Sequence, residues 1–355
     1  MFQILHDINV DWMGWRKPLV AVSIVILIAG LVSAIGRQAV DGGTDAFNLG
    51  VDFQGGTVVT AKFRQKPAVD DIRSALETVG ISEAIIQEST DKNDEVLIKV
   101  PNMGAREECP GTDEAGRCLV KSALDTTFGK EAEGGTQLDQ DEAAVYKIIG
   151  TDAVGPVAGA QLRNQAVIAT LLGMVGILLF IAFRYDWTYA AGAVIAVFHD
   201  VLVTLAFFTV FQWEISLTVL AALLTLVGFS VNDSIVIFDR IRENLSLHRD
   251  KSLYQLTNDS INQTMSRTVV TNGLVFLSVL ALVLFGGEVL RGFSLALFVG
   301  SITGTYSTIA IASPIAIWWQ SKLGIGQVKE VALQSQGEKM ASASRRSVTR
   351  RPVTR

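Results

Sequence analysis

Four residues that can carry charge or a proton lie within or beside long apolar stretches of this sequence. His199 and Asp200 are adjacent in one stretch, Asp233 lies in the next, and Arg267 precedes a third. An Asp at the centre of a membrane span costs about 2.5–3.5 kcal/mol on insertion scales, so it seldom lacks a task. Burial favours the neutral carboxyl group and a nearby Arg favours the ionised one, so a carboxylate balanced between them can take up and release protons. These residues indicate a proton relay, with purely structural pairing as the alternative for each Asp.

Polar residues recur every seventh position in the stretch that contains Asp233. They are Thr218, Thr225, Asn232 and Asp239. Seven residues make nearly two helical turns, so these side chains share one face, and Asp233 and Arg240 adjoin it. The seven-residue spacing therefore predicts one polar face on this helix.

Other polar residues of the apolar stretches fit a structural role. Ser294, Ser301, Thr305 and Thr308 share one face of the last stretch. Hydrogen bonds between spans contribute about 0.6 kcal/mol each and explain such residues without further function. His199 either ferries protons or hydrogen-bonds a neighbouring helix, and a lone His favours the second role.

Proteolysis within the membrane is a competing interpretation. Ser230 with His199 could imitate a serine–histidine pair, and Asp200 with Asp233 an aspartyl pair. The sequence lacks a glycine after Ser230 and a Gly-x-Gly-Asp segment, and helix geometry predicts that the two Asp differ in depth by about 10 Å. We therefore predict that the chain is not an enzyme.

The elements that hold these residues are six apolar stretches, each close to the ~20 helical residues that cross a membrane. They are Pro18–Ile35, Ala166–Phe183, Tyr189–Phe211, Ile215–Phe238, Val269–Leu284 (starting nearer Ser266) and Phe293–Trp319. Only three residues separate the third from the fourth, which predicts an antiparallel hairpin.

A cleaved signal peptide ending near Val32-Ser33-Ala34 is an alternative for the first stretch, but its apolar run exceeds the usual ~7–15 residues. We predict a retained anchor.

The distribution of charge predicts the orientation of these spans. Residues 37–165 hold 22 acidic and 13 basic side chains, whereas the tail after Trp319 holds eight basic and two acidic ones. Because basic loops stay in the cytoplasm, we expect both termini there.

The predicted division of the chain is a cytoplasmic N-terminus (1–17), a first span (18–36), an external domain (37–165), five spans (166–319) and a basic tail (320–355). The tail is expected to be disordered, or to contact anionic lipid or the ribosome surface.

The external segment has the pattern of a small α+β domain. Strands are predicted at Thr57–Phe63, Ala84–Glu88, Val96–Val100 and Lys147–Val154, and helices at Val69–Val79 and around Leu119–Phe128. The order β-α-β-β-α-β is typical of a ferredoxin-like fold. The predicted fold class is therefore a polytopic α-helical membrane protein with six spans and one external ferredoxin-like domain.

Both cysteines of the chain, Cys109 and Cys118, lie in this external segment. Outside the cytoplasm they could close a ten-residue loop, which would stabilise the domain by roughly 2–3 kcal/mol. Free thiols are the alternative. No His lies between residues 37 and 165, so we do not expect a metal site there.

Two segments resemble motifs of the SecD/SecF family of protein-export membrane proteins. Asp52-Phe53-Gln54-Gly55-Gly56 resembles the Asp-Phe-x-Gly-Gly motif that follows the first span in that family. The run from Val227 to Asn244, which includes Asn232, Asp233, Asp239 and Arg240, resembles its fourth-span motif. Phe183-Arg184-Tyr185, His199-Asp200, Arg267-Thr268 and Phe285-Gly286-Gly287 also resemble the family. The resemblance covers residues 45–63 and 154–320, and it is weak over 101–145.

The resemblance implies a half-transporter of the resistance–nodulation–division type in a bacterial inner membrane. It would pair with SecD beside the SecYEG channel and use proton flow to help draw preproteins across, with no cofactor except the coupling proton and no nucleic-acid partner. It assigns proton carriage to Asp233, with Arg267 as partner and Asn232, Asp200 and His199 as neighbours. The external region of about 130 residues is small for SecD and favours the SecF branch. An exporter of lipids or small molecules and a passive scaffold for the channel are the alternatives.

Overall fold

The protein forms a bundle of membrane-length helices that carries one small domain, as seen in a computed structural model. We call this domain the external domain after its predicted location. The structure describes residues 9–39, 45–82, 84–89, 94–102, 115–132, 138, 141–248 and 251–323. The N-terminal eight residues, Cys109 and the predicted tail after residue 323 lie outside the described residues.

Six helices or helix groups are long and apolar enough to cross a membrane, as the sequence predicts. The first five are α1 (Trp12–Ala39), α5 (Pro156–Arg184), α6 (Trp187–Phe211), α7 (Leu217–Leu247) and α8 (Leu253–Phe285). The sixth consists of α9 (Gly287–Ser307), a π-helical turn (Thr308–Ala312) and α10 (Ser313–Lys322).

Several helices extend beyond their predicted apolar stretches. The second span starts at Pro156, ten residues before the predicted start, because Pro is favourable at the first helical position and the early turns pack on the external domain. The predicted domain boundary at residue 165 therefore falls inside α5. Helices α7 and α8 continue beyond their apolar parts as a polar hairpin, in which Asn244 donates to Ser260 Oγ at 2.8 Å.

The first helix is an integral part of the bundle. Gly30 of α1 lies so close to α6 that a Cβ atom there would be 2.5 Å from the Cβ of Ala206. Ser23 Oγ is 2.9 Å from the hydroxyl of Tyr306 on α9. At its N-terminal end, the backbone of Val10 hydrogen-bonds Asn258 and Asn262 of α8. These contacts agree with a helix that serves as an anchor.

The external domain has the predicted ferredoxin-like topology. Its elements are α2 (Val51–Gln54), β1 (Gly56–Phe63), α3 (Val69–Thr78), β2 (Ile85–Glu88), β3 (Glu95–Val100), α4 (Ala115–Thr127) and β4 (Tyr146–Val154). The four strands form an antiparallel sheet in the order β2-β3-β1-β4. Alternate residues of β1 (Val59, Ala61 and Phe63) are buried under α3 and α4, as period-two alternation predicts. The other face of the sheet borders a cavity of about 840 Å³ above the membrane helices.

Candidate functional site

Asp233 is buried where three spans meet. Its side chain is 3% exposed, and its Oδ2 accepts a hydrogen bond from Asn272 Nδ2 of α8. The same amide nitrogen donates to Thr305 Oγ1 of α9 at 2.9 Å. The amide oxygen of Asn272 is buried and makes no hydrogen bond to any described residue. Asn272 thus holds the carboxylate with one end of its amide and keeps an acceptor free at the other.

Asp200 lies in a second polar cluster at the junction of α6, α7 and α9. It is fully buried, and its Oδ2 accepts hydrogen bonds from Ser230 Oγ at 2.6 Å and Ser307 Oγ at 2.8 Å. His199 Nδ1 lies 3.0 Å from the other carboxylate oxygen. Hydroxyl donors of this kind stabilise a carboxylate away from water.

His199 continues this cluster towards α1. Its ring packs edge-on against Tyr306, whose hydroxyl meets Ser23. Its Nε2 atom is buried without a hydrogen-bond partner among the described residues. A titratable ring with one unpaired nitrogen beside a buried carboxylate is suited to proton exchange, since the imidazole can both accept and donate.

The two clusters lie at similar depth. Ser230, which contacts Asp200, precedes Asp233 by three residues, or about 4.5 Å of helix rise. Thr305 and Ser307, which contact the two clusters, are likewise neighbours on α9. The expected difference in depth of about 10 Å is therefore too large, because it is counted from the predicted end of the span near Phe238, whereas α7 continues to Leu247.

Helices α7 and α9 approach closely between these clusters. A Cβ atom on Gly300 would be 2.6 Å from the Leu226 side chain, and one on Gly304 would be 3.4 Å from the Cβ of Ser230. Ser234 Oγ and Thr308 Oγ1 also meet at 3.3 Å. The expected close packing at Gly300-x-x-x-Gly304 is thus present, and it brings the polar side chains of both helices into contact.

The four regularly spaced polar residues of α7 are not part of these clusters. Thr218, Thr225, Asn232 and Asp239 are all exposed on the outer side of the helix. Gly228 lies in the same row, and a Cβ atom there would meet nothing within 4 Å. We call Thr218, Thr225, Gly228, Asn232 and Asp239 the outer stripe. Asn232 faces away from Asp233 because neighbouring residues on a helix differ in direction by about 100°.

Arg267 does not form an ion pair with Asp233 within 4.0 Å. Its side chain is exposed on α8, about one and a half turns before Asn272. Arg240, about two turns before the C-terminal end of α7, contacts Gln263 Oε1 at 2.6 Å and Glu243 at 2.6 Å. The sequence patterns assign Asn272 no role in the relay, although an amide side chain within an apolar stretch is an available signal.

The Asp52–Gly56 motif lies at the junction of the external domain and the spans. Gly55 and Gly56 have φ angles of 79° and 138°, and a Cβ on Gly56 would be 2.5 Å from the carbonyl oxygen of Val100. Both features require glycine. Phe53 is buried, and Asp52 Oδ2 accepts a hydrogen bond from the backbone N–H of Leu217 at 2.9 Å.

The cysteines lie far along the chain from these clusters. Cys118, on α4 of the external domain, is disulfide-bonded. Cys109 lies outside the described residues, so its pairing with Cys118 stays a prediction.

Comparison with known proteins identifies relatives for nearly the whole chain. Residues 136–322 match the model for the C-terminal part of the protein export membrane proteins SecD/SecF, and residues 43–67 match the SecD/SecF GG motif. A protein translocase subunit SecF from Koribacter versatilis is 38% identical, with 91% of this chain and 94% of the relative covered. SecF of Escherichia coli O157:H7 is 35% identical, and the match covers 95% of this chain and 94% of that relative.

A solved structure is similar over the same region. The crystal structure of SecDF from Thermus thermophilus, described as a translocon-associated membrane protein, superposes with a TM-score of 0.71 at 36% identity. The match covers 89% of this chain and 39% of that chain. The similarity extends over the six spans and the small antiparallel sheet.

Proposed function

Because this chain belongs to the SecD/SecF family, its role is in protein export through the Sec pathway, and we propose that Asp233 carries the proton that drives this export. The observation that supports the proposal best is the contact between Asp233 and Asn272. An ionised Asp233 accepts from the amide N–H₂ group, and a protonated Asp233 can donate to the amide oxygen once the amide has turned over. One neighbour thus satisfies both charge states in a buried site.

The energy available from proton movement suits this task. One charge that crosses 100 mV releases about 2.3 kcal/mol, which shifts a two-state equilibrium several tens-fold. Asp233 and Asn272 lie on different helices, so a change of charge on Asp233 alters the attraction between α7 and α8. A change in helix packing is therefore the expected result of proton binding.

The cluster around Asp200 and His199 is a candidate for the rest of the proton path. Asp200 is linked through Ser230 to the helix that carries Asp233, and His199 offers an unpaired ring nitrogen. Hydroxyl side chains between two titratable groups can pass protons by exchanging hydrogen-bond roles. Asn232 and Arg267 lie on exposed faces, so their proposed roles require the outer side of the bundle to be covered by a partner.

We propose that the outer stripe of α7 is covered by a SecD-type partner. Small and polar residues on one helix face favour close helix–helix contact in a membrane, where they are poorly matched to lipid chains. The SecDF chain from Thermus thermophilus contains the region similar to this chain and a further part of its sequence. A SecD-like partner supplied by that further part suits the stripe. The SecYEG channel and preproteins complete the proposed assembly.

We propose that the external domain faces away from the cytoplasm and that both termini are cytoplasmic. An even number of spans places the two termini of the chain on the same side of the membrane. The excess of Lys and Arg after Trp319 favours the cytoplasm for that side. The acidic segment 37–165 favours the opposite side. The location proposed is the bacterial inner membrane.

The competing functions have less support. The relatives are translocase subunits, which does not favour an exporter of lipids or small molecules. Ser230 hydrogen-bonds Asp200 and makes no hydrogen bond to His199, which does not favour a serine protease. We propose no catalytic chemistry for the chain.

The test is Asp233→Asn in proteoliposomes that contain this chain, its SecD partner and SecYEG. We expect the part of preprotein export that depends on the proton-motive force to be lost, while export without a gradient and binding to SecD remain. Asp259→Asn, which removes an exposed carboxylate of α8 that pairs with Lys251, is the control and should export normally. Unchanged gradient-driven export by Asp233→Asn would leave only a scaffold role.

A further inference from the structure

The N-terminus of α7 is capped by a residue from a distant part of the chain. The residue at the N-cap position, Ser216, makes no capping hydrogen bond, because its Oγ is engaged with Thr218 Oγ1 at 2.8 Å. The first helical N–H group, that of Leu217, instead donates to Asp52 Oδ2 at 2.9 Å. A carboxylate at this position is favoured both as a hydrogen-bond acceptor and by the helix dipole.

Asp52 is held firmly where it caps this helix. Gly50 N–H donates to Ile215 O, and Ile215 N–H donates to Asn48 O, both at 2.8 Å. These bonds pair the segment before Asp52 with the turn between α6 and α7 as a short parallel β-bridge. The Asn48 side chain also donates to the carbonyl oxygen of Gln212 at 2.9 Å.

The same turn is tied to the sheet of the external domain. Lys99 of β3 forms an ion pair with Glu214 of the turn. On the other side of Asp52, Gly55 and Gly56 lead directly into β1. Asp52 therefore lies between the start of α7 and the external sheet, and it is held to both.

We propose that Asp52 is a positioning residue that couples movement of α7 to movement of the external domain. Asp233 lies sixteen residues after Leu217 on the same helix, about 24 Å along its axis. A continuous helix transmits a shift or tilt produced at Asp233 to its capped end, and Asp52 passes the shift to β1. Asp52 touches neither the proton nor Asp233. This inference rests on the proposed function, in which protonation of Asp233 alters the packing of α7.

The test separates stabilisation of the helix end from coupling. Wild type, Asp52→Ala, and Asp52→Ala combined with Ser216→Asp are compared in the assembled complex. Ser216→Asp supplies a carboxylate from the helix's own N-cap position, so it restores a cap without a link to the external domain. Hydrogen exchange of the peptide around residues 214–222 reports the cap, and gradient-driven preprotein export reports the coupling.

We expect Asp52→Ala to speed exchange of the first-turn amides about fivefold, the factor that corresponds to a typical helix cap, and to reduce gradient-driven export. Adding Ser216→Asp should restore the slow exchange but not the export. Asp152→Asn is the matched control, because Asp152 borders the same cavity and makes no side-chain hydrogen bond to the described part of α7. It should change neither readout.

Two results would overturn the inference. If Ser216→Asp restores export together with the slow exchange, Asp52 only stabilises the helix end. If Asp52→Ala leaves export unchanged, no coupling passes through it. Asp233→Asn is measured in parallel: normal export by that variant with loss in Asp52→Ala would reject the proton role of Asp233 and retain the link through Asp52.

Discussion

Asn272 on α8 donates a hydrogen bond to Asp233 on α7, and it is the direct link between the buried carboxylate and a neighbouring span. Arg267, on the same helix, is exposed and makes no ion pair with Asp233 within 4.0 Å. An amide is a neutral partner that suits either charge state of the carboxyl group, whereas an Arg in contact would hold it ionised. Because Asn272 contacts Asp233 and Arg267 does not, we expect variants at Asn272 to impair proton uptake directly.

Asn272→Leu should reduce gradient-driven export by about tenfold or more, because a lost hydrogen bond to a charged group is worth about 1.5–3 kcal/mol. The measurement is the initial rate of preprotein export with and without an uncoupler. Ser278→Ala, an exposed change on the same helix, is the control and should have no effect. Export by Asn272→Leu at the wild-type rate would show that Asp233 does not need this partner.

Ser230→Ala and Asp200→Asn should be strongly non-additive. Ser230 Oγ donates to Asp200 Oδ2, so Ser230→Ala removes this hydrogen bond and Asp200→Asn replaces its charged acceptor with a neutral amide; both changes act on one contact. We expect the double variant to export no more slowly than the worse single variant. A serine protease would instead lose its activity with Ser230→Ala whatever residue is at position 200. Export rates of the four proteins in the cycle distinguish these outcomes.

Gly30→Ala should lower the thermal stability of the protein in detergent. The new Cβ would lie 2.8 Å from the Cα of Ala206, so α1 and α6 must move apart. Overpacking of this kind typically costs about 1–3 kcal/mol. Gly36→Ala on the same helix is the matched control, because a Cβ there meets nothing within 4 Å. Equal melting temperatures for the two variants would argue against the tight contact.

Raising the pH above about 10, the pKa of an unperturbed tyrosine, should destabilise the external domain through Tyr146. Burial, and then its hydrogen bond to Asp125, raise the pKa of the Tyr146 phenol in the folded protein. A raised folded pKa gives stability that is complete below the unfolded pKa and declines as the pH rises above it. Hydrogen exchange of β4 between pH 8 and pH 11 measures this effect.

Tyr146→Phe provides the comparison for that experiment. Without an ionisable group at this position, the loss of protection of β4 above pH 10 should be smaller than in wild type. The variant should also be less stable at pH 8, because Asp125 loses the phenol donor at 2.8 Å. An identical pH dependence in both proteins would assign the alkaline effect to other groups.

The architecture could be predicted from the sequence because long apolar runs and period-two alternation leave few alternatives. The turn between α6 and α7 and the four strands lie where these patterns place them. The partner of Asp233 could not be predicted this way. Spacing by sevens draws attention to Asn232, but the face that contains Asn232 is the outer one. Which face of a span is covered depends on the neighbouring helices, and that information is not local in the sequence.

The helix boundaries were predicted less well for a related reason. Hydropathy marks only the part of a helix that lies in lipid. Beyond that part, α7 continues to Leu247 and α8 begins at Leu253, and the two polar ends form a hairpin. The π-helical turn Thr308–Ala312 has no hydropathy signal either. It follows Ser307, which contacts Asp200, and the hydroxyl of Ser313 donates to the carbonyl oxygen of Thr308 at 2.9 Å. Extra turns of this type often occur near functional residues.

The short connection between β4 and α5 gives the external domain a mechanical property. Only Gly155 separates Val154, the last residue of the strand, from Pro156, the first of the helix. Because one residue joins them and Gly159 of α5 packs against the backbone of Phe53 and Gly55, we expect a tilt of α5 to carry the strand with it. The nine residues of β4 extend about 30 Å, so a tilt of α5 by about 10° would swing the tip of the strand by about 5 Å. A small rearrangement among the spans would thus produce a larger displacement of the external domain at Tyr146, the end of β4 that is remote from α5.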